Sequence, residues 1–216
     1  MGNISASKLG GICLIVGPAL ATILYVVIYM ILGNPGTDPA NWGDVAKDAI
    51  AQGGVETILL MIPPVGIILA FYGLSVLHAS IKENGNNEAL FGLGLTMFVV
   101  SVIAITIGWG MFQAISWPDT NGAAIASMSQ GVSGYGWMIG SIGFMLISCV
   151  VANNREGLHQ ILAYLVSIVS LIVVIFSIIA IVDTDALQIS QLINGISYII
   201  ISIWSVTVGM DMLKKA

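Results

Sequence analysis

The chain has 216 residues, 57% of them hydrophobic and 8% charged, with a mean hydropathy of +1.00. Soluble domains carry roughly 25% charged residues, so a water-soluble fold is excluded. The net charge of −5, from 6 basic and 11 acidic residues, is opposite to the cationic surfaces that hold nucleic acid, and no nucleic-acid partner is expected.

Six apolar stretches follow in chain order, at about residues 9–33, 57–81, 89–116, 123–152, 160–182 and 186–210, and none contains Asp, Glu, Lys or Arg. A helix needs roughly 20 residues at 1.5 Å each to cross about 30 Å of hydrocarbon, and each stretch is long enough. In the fourth, 131–152 is the expected membrane part. The expected fold is all-α: one polytopic domain over residues 1–216, an integral membrane bundle of six transmembrane helices, with the lipid bilayer as its first partner. An ionised side chain at the bilayer centre costs roughly 2.5–3.5 kcal/mol, so charges retained there mark proton relays, voltage sensors or ion sites. These spans lack that machinery.

In the first stretch, Lys8 precedes an apolar run in which Ala19 and Ala21 imitate a signal-peptide cleavage site. The run continues to Leu32, about twice the usual length of a signal's apolar region, and is read as a retained first span. Orientation follows from Lys and Arg, which stay preferentially on the cytoplasmic side. With the N-terminus inside, Lys8, Lys82, Arg155, Lys214 and Lys215 are cytoplasmic and only Lys47 is outside. Both termini are therefore expected in the cytoplasm, with the protein in the cell membrane.

The longest connection, residues 33–56, would be external. Turn signals at Asn34-Pro35-Gly36 and Asp38-Pro39 precede Trp42, Val45, Ala46, Ala49 and Ile50 at helical spacing. Asn41 can cap that segment and Asp44 complements its dipole. The pattern predicts a short interfacial helix near 41–51, lying on the outer surface with Trp42 at headgroup depth.

The second stretch contains Pro63-Pro64. Two prolines remove the N–H donors that would serve the carbonyls of Leu59 and Leu60, and a bilayer supplies no water in their place. A kinked span is expected. The freed oxygens could open an outward vestibule toward Glu56, as broken helices do in transporters; alternatively the kink serves packing, with a neighbouring hydroxyl satisfying the oxygens. Further uncharged polar side chains gather at the outer span ends: Trp109 and Gln113 on the third, Gln130 on the fourth, Gln188, Gln191 and Asn194 on the sixth. Converging, they would line a pocket, with Gln113 and Asn194 furthest inside their spans; span ends also become polar simply near headgroups.

Every span carries small residues at three- or four-residue spacing, such as Gly10, Gly17 and Ala21 in the first, or Gly66, Ala70 and Gly73 in the second. Gly136, Gly140 and Gly143 make the fourth the densest and the expected central helix. Lipid tails are as apolar as Leu, so such rows bring helices together by close backbone contact; packing within the chain is favoured over dimerisation.

On the inner side, His78 and His159 sit where spans meet the interface, beside Cys13 and Cys149. No His-x-x-x-His, Cys-x-x-Cys or Glu-x-x-His spacing supports a metal site. Asp211 can pair with Lys214 or Lys215, and Glu156 adjoins Arg155. Gly131-Val132-Ser133-Gly134 is no nucleophile elbow, and no phosphate loop or dinucleotide fingerprint occurs. No catalytic residue, cofactor or metal is expected. Three functional readings follow: a non-enzymatic accessory or structural membrane component with a partner subunit; a small-molecule or cation transporter or channel with an outward vestibule; and a haem or metal redox protein using the two histidines.

Overall fold

The computed structural model describes residues 4–26, 36–51, 58–82 and 87–216. Among these the chain forms helices α1 (Ala6–Val26), α2 (Trp42–Ala51), α3 (Ile62–Lys82), α4 (Glu88–Gln113), α5 (Gly122–Asn153), α6 (Leu158–Val182) and α7 (Leu187–Lys215), with single 3-10 turns at Ala114–Ser116 and Thr184–Ala186. All but α2 are long and apolar enough to cross a membrane. The architecture is thus an all-helical bundle with six candidate membrane spans.

The six long helices run as antiparallel neighbours around a closed ring: the connections from α3 onward are short, α1 packs on α3, and α7 returns to pack on α1. Two ends result. The terminal end carries Ala6 and Lys215, and the α2 end carries α2 and the α4–α5 and α6–α7 connections. One hydrophobic core draws on all six long helices, among them Leu14, Leu74, Phe91, Ile147, Val166 and Trp204. At 32 residues, α5 is about 48 Å long, more than the hydrocarbon requires. Its first turns extend to meet α2, and it is the most deeply buried of the six.

Three crossings rest on facing glycines. A Cβ added at Gly143 would lie 2.6 Å from the Gly94 carbonyl oxygen, and one at Gly94 would lie 2.8 Å from that of Gly143. Gly17 and Gly66 face each other in the same way between α1 and α3, at 2.5 Å in both directions, and Gly11 and Gly209 do so between α1 and α7, at 2.9 and 2.6 Å. Gly136 meets Ala104 and Ile105, and Gly140 meets Ser101. Gly136, Gly140 and Gly143 of the fourth span therefore pack α5 against α4 within the chain.

The second span departs from expectation. Instead of a kink inside a helix covering 57–81, Ile58 and Leu59 end a helical segment, Leu60 and Met61 form a turn, and α3 begins at Ile62. The Met61 N–H donates to the Ile58 carbonyl at 3.1 Å. Pro63 and Pro64 thus occupy a first helical turn, where N–H groups have no intrahelical acceptor and proline's fixed φ suits the start. The missing donors mark a boundary. The proline that does lie inside a helix is Pro18 in α1, whose carbonyl accepts a hydrogen bond from Ser202 Oγ at 3.3 Å, beside a Thr22–Ser202 hydroxyl pair at 2.6 Å.

Because the Gly94 and Gly143 contacts are with main-chain oxygens, Gly143→Ala must separate α4 from α5 and should destabilise the protein by about 1–3 kcal/mol. Gly110→Ala on α4, where a Cβ meets nothing within 4 Å, should be neutral or gain up to about 1 kcal/mol from helix propensity. Thermal unfolding in mild detergent compares the two; equal effects would contradict the packing account.

Candidate functional site

Local capping builds the α2 end. Asn41 Oδ1 accepts from the Asp44 N–H at 3.3 Å, and its Nδ2 donates to the Asp44 carboxylate at 2.7 Å. Asp44 also accepts from Lys47 at 2.7 Å, and this hydrogen bond holds the Lys47 ammonium above the ordinary lysine range. Thr37 Oγ1 donates to Asp48, tying the preceding turn to α2. Asn121 Oδ1 caps α5 by accepting from the Ala124 N–H at 3.2 Å. With these ends fixed, Ala46 packs against Ile115 and Ala126, flanked by Trp42, Val45 and Ala49. α2 therefore lies on the mouth of the bundle, with Trp42 turned to a cavity rather than only to the bilayer surface.

That cavity has a volume of about 340 Å³ and is lined from α2 and from all six long helices. Aromatic rings form much of its wall: Tyr25, Trp42, Trp109, Tyr135, Trp137 and Tyr198. Carboxamides come from Gln130, Gln191 and Asn194, and hydroxyls from Ser127, Ser129, Ser133, Ser177 and Ser190. Among the described residues no lining side chain is charged. Gln191 Nε2 lies 3.5 Å from Gln130 Oε1, and Ser129 Oγ donates to the Gly108 carbonyl at 2.7 Å. Asn194 Oδ1 is buried without a hydrogen-bond partner among the described residues. Native proteins seldom leave such an oxygen unpaired, and where they do it calls for a functional or structural reason.

At the cavity's deep end Trp137 and Tyr198 meet edge to face, with centroids 5.5 Å apart and planes at 81°. Past them, Asn194, Trp137 and Tyr198 also border a small void of about 20 Å³ with Ser101, Ser141 and Ser197. Closer to the terminal end the packing is tight, and Leu74, Ile147 and Trp204 are fully buried. The cavity is a funnel closed toward the terminal end.

Of the residues singled out from sequence for a vestibule, Leu60, Pro63 and Asn194 line this cavity, as do Trp109, Gln130 and Gln191. Leu59, Pro64, Gln113 and Gln188 are not among its lining residues, and Glu56 lies outside the described residues. The break before Pro63 directs Leu60, Pro63 and Ile67 to the wall, so α3 contributes an apolar surface. Sequence reasoning missed Tyr25, Trp137 and Tyr198. Their signal was depth: Tyr198 stands 11 residues into α7, about 16 Å along the helix, deeper than the interfacial belt that Tyr and Trp usually occupy.

The terminal end is arranged differently. Asp211 pairs with Arg155 and, at 2.9 Å, with Lys215. Arg155 thus reaches across to α7 instead of pairing with its neighbour Glu156, because the α5–α6 connection packs beside the end of α7. Lys82 and Glu88 pair at 3.0 Å across the α3–α4 connection. The His78 ring stacks on Phe91, with centroids 5.1 Å apart. Among the described residues no three His, Cys, Asp or Glu side chains gather into a group able to hold a metal ion. Cys13 and Cys149 are both free thiols. No protein-family model matches this chain, and neither does any curated protein or solved structure.

An unpaired buried amide oxygen costs roughly 1–3 kcal/mol. Asn194→Leu should therefore leave the protein as stable as before or raise its thermal midpoint in detergent. A loss of more than about 1 kcal/mol would show that the amide serves the fold.

Proposed function

We propose that this chain is a non-enzymatic, multi-pass protein of the cell membrane whose cavity at the α2 end binds a small uncharged molecule. One observation carries the reading: aromatic rings, three carboxamides and several hydroxyls from α1, α2, α4, α5, α6 and α7 converge on a cavity of about 340 Å³ whose described lining has no formal charge. That volume falls within the roughly 300–1,000 Å³ range of small-molecule sites. Aromatic faces suit a ring or an apolar edge, and carboxamides both donate and accept, so a hydroxyl- or amide-bearing neutral molecule is complementary. Among the described residues no carboxylate lines the space to offset the desolvation of a bare metal ion.

Lys8, Lys82, Arg155, Lys214 and Lys215 favour a cytoplasmic terminal end, against Lys47 alone on α2. In that orientation both termini are inside, α2 is the external helix and the funnel opens outward. This replaces the expectation of a vestibule built on the carbonyls of Leu59 and Leu60 with one built on the walls around Asn194. A transport reading draws its support from the small void beyond Trp137 and Tyr198, which extends the funnel toward the bundle centre. Passage would require those two rings to part.

Trp42, Trp109 and Trp137 line the cavity, so tryptophan emission reports on its occupancy. Titrating the detergent-solubilised protein with a panel of methyl glycosides and small amides should give a saturable change. Asn194→Leu should weaken the tightest of these about tenfold or more, the worth of a buried hydrogen bond. No saturable response across the panel, or one unaltered in Asn194→Leu and Trp137→Leu, would contradict the reading.

A further inference from the structure

On its α5–α6 side the cavity wall includes half-exposed residues. In their terminal halves α5 and α6 are held together by a Ser148–Ser167 hydroxyl pair at 2.7 Å and by Gln160 Nε2 donating to the Ala152 carbonyl at 3.1 Å. Toward the α2 end, open space lies beside α5 at two glycines. Gly131 and Gly134 of α5 line the cavity, yet a Cβ added at either would meet nothing within 4 Å. On α6, Ser177, Ala180 and Ile181 line the same cavity, the first two of them buried. Tyr135 and Ile181 belong to the cavity wall while remaining 54% and 49% accessible, so the wall is open to the outside of the bundle.

What lies outside at that height is lipid. Counting from Asn153 at the terminal end, Gly134 is 19 residues along α5, or about 29 Å, which brings it to the far edge of a hydrocarbon layer about 30 Å thick. The gap thus spans the level at which headgroups of that leaflet join their chains. Its flanks are apolar and face outward, with Ile175 and Ile178 on α6 exposed, whereas its interior ends in Gln130, Ser133 and Asn194. A fully water-soluble molecule has no use for an apolar doorway, and an anionic headgroup would find no cation among the lining residues.

Resting on the ligand-binding reading above, we propose that the occupant is a membrane lipid with an uncharged, hydroxyl-bearing headgroup. It enters sideways between α5 and α6, its head reaching the carboxamides while its chains stay in the bilayer beyond Gly131 and Gly134. The proposal names both the class of ligand and its route.

The test compares three probes on the detergent-solubilised protein by native mass spectrometry and tryptophan emission: a monoglucosyl diacylglycerol, phosphatidylglycerol with the same acyl chains, and water-soluble methyl glucoside. The glucosyl lipid should bind at least about tenfold more tightly than phosphatidylglycerol. Gly134→Leu, which puts a side chain into the open space between the cavity and the bilayer, should weaken the glucosyl lipid at least about tenfold more than it weakens methyl glucoside, with the thermal midpoint unchanged. Gly131→Leu, on the same edge, must behave alike and serves as the test if Gly134→Leu lowers the midpoint. Equal binding of the two lipids, or glucosyl-lipid binding indifferent to both substitutions, would overturn the lipid proposal, even with methyl glucoside still bound and the cavity reading intact. Failure of all three probes would overturn the cavity reading together with it.

Discussion

Apolar surfaces gain nothing by leaving lipid for one another, so a membrane bundle is held by how closely its backbones approach and by how its polar groups are satisfied. Here that closeness is concentrated where Gly94 meets Gly143, Gly17 meets Gly66 and Gly11 meets Gly209. A side chain at any of these points would strike a main-chain oxygen, and a main-chain oxygen cannot swing aside. These crossings join α4 to α5 and α1 to both α3 and α7, leaving the other contacts of the ring to larger residues. Tight crossings in one part of the ring make possible a hollow in another, because the bulky rings at the α2 end cannot interdigitate as glycines do.

Polar groups follow the same division. Among the described residues the buried polar side chains, tryptophan aside, are all serines. Many hydroxyls are satisfied within reach of their own helix, as when Ser167 donates to the Ala163 carbonyl at 3.1 Å or Thr106 to that of Val102 at 2.7 Å. Such hydroxyls fill small-residue positions without requiring a partner elsewhere. Carboxamides are different, since each carries two donors and an acceptor that cannot all be met by one turn of helix. Gln130, Gln191 and Asn194 converge on the cavity, and the amide oxygen of Asn194 is buried there without a partner among the described residues.

Much of the helical framework was legible from residue patterns, because each span is a property of its own segment. The uncharged runs ending near Ser116, Val182 and Asn153 coincide with helix ends, and Asn41 caps α2 as its spacing implied. The glycine rows were legible too, although which row faces which is decided only in three dimensions. Pro63-Pro64 misled for a physical reason: a proline pair removes donors equally in a kink and in a first turn, and hydropathy does not register the difference. The aromatic wall was hidden because Tyr25, Trp137 and Tyr198 come from α1, α5 and α7, and no local pattern signals that those helices bring their rings to one place. Nor did pattern reveal the gap beside Gly134, since a glycine that packs and a glycine that faces open space are spelled alike.

The account turns on a funnel that is reachable from the side opposite the chain termini and closed toward them. Cysteine accessibility in intact cells tests this most directly. In a background with Cys13 and Cys149 replaced by Ala, Asn194→Cys and Ser190→Cys should react with a membrane-impermeant thiol reagent added outside, as should Lys47→Cys on α2, whereas Ser167→Cys in the packed half should not. Labelling of position 194 only after the cells are permeabilised, or equal labelling of positions 194 and 167 from outside, would contradict it.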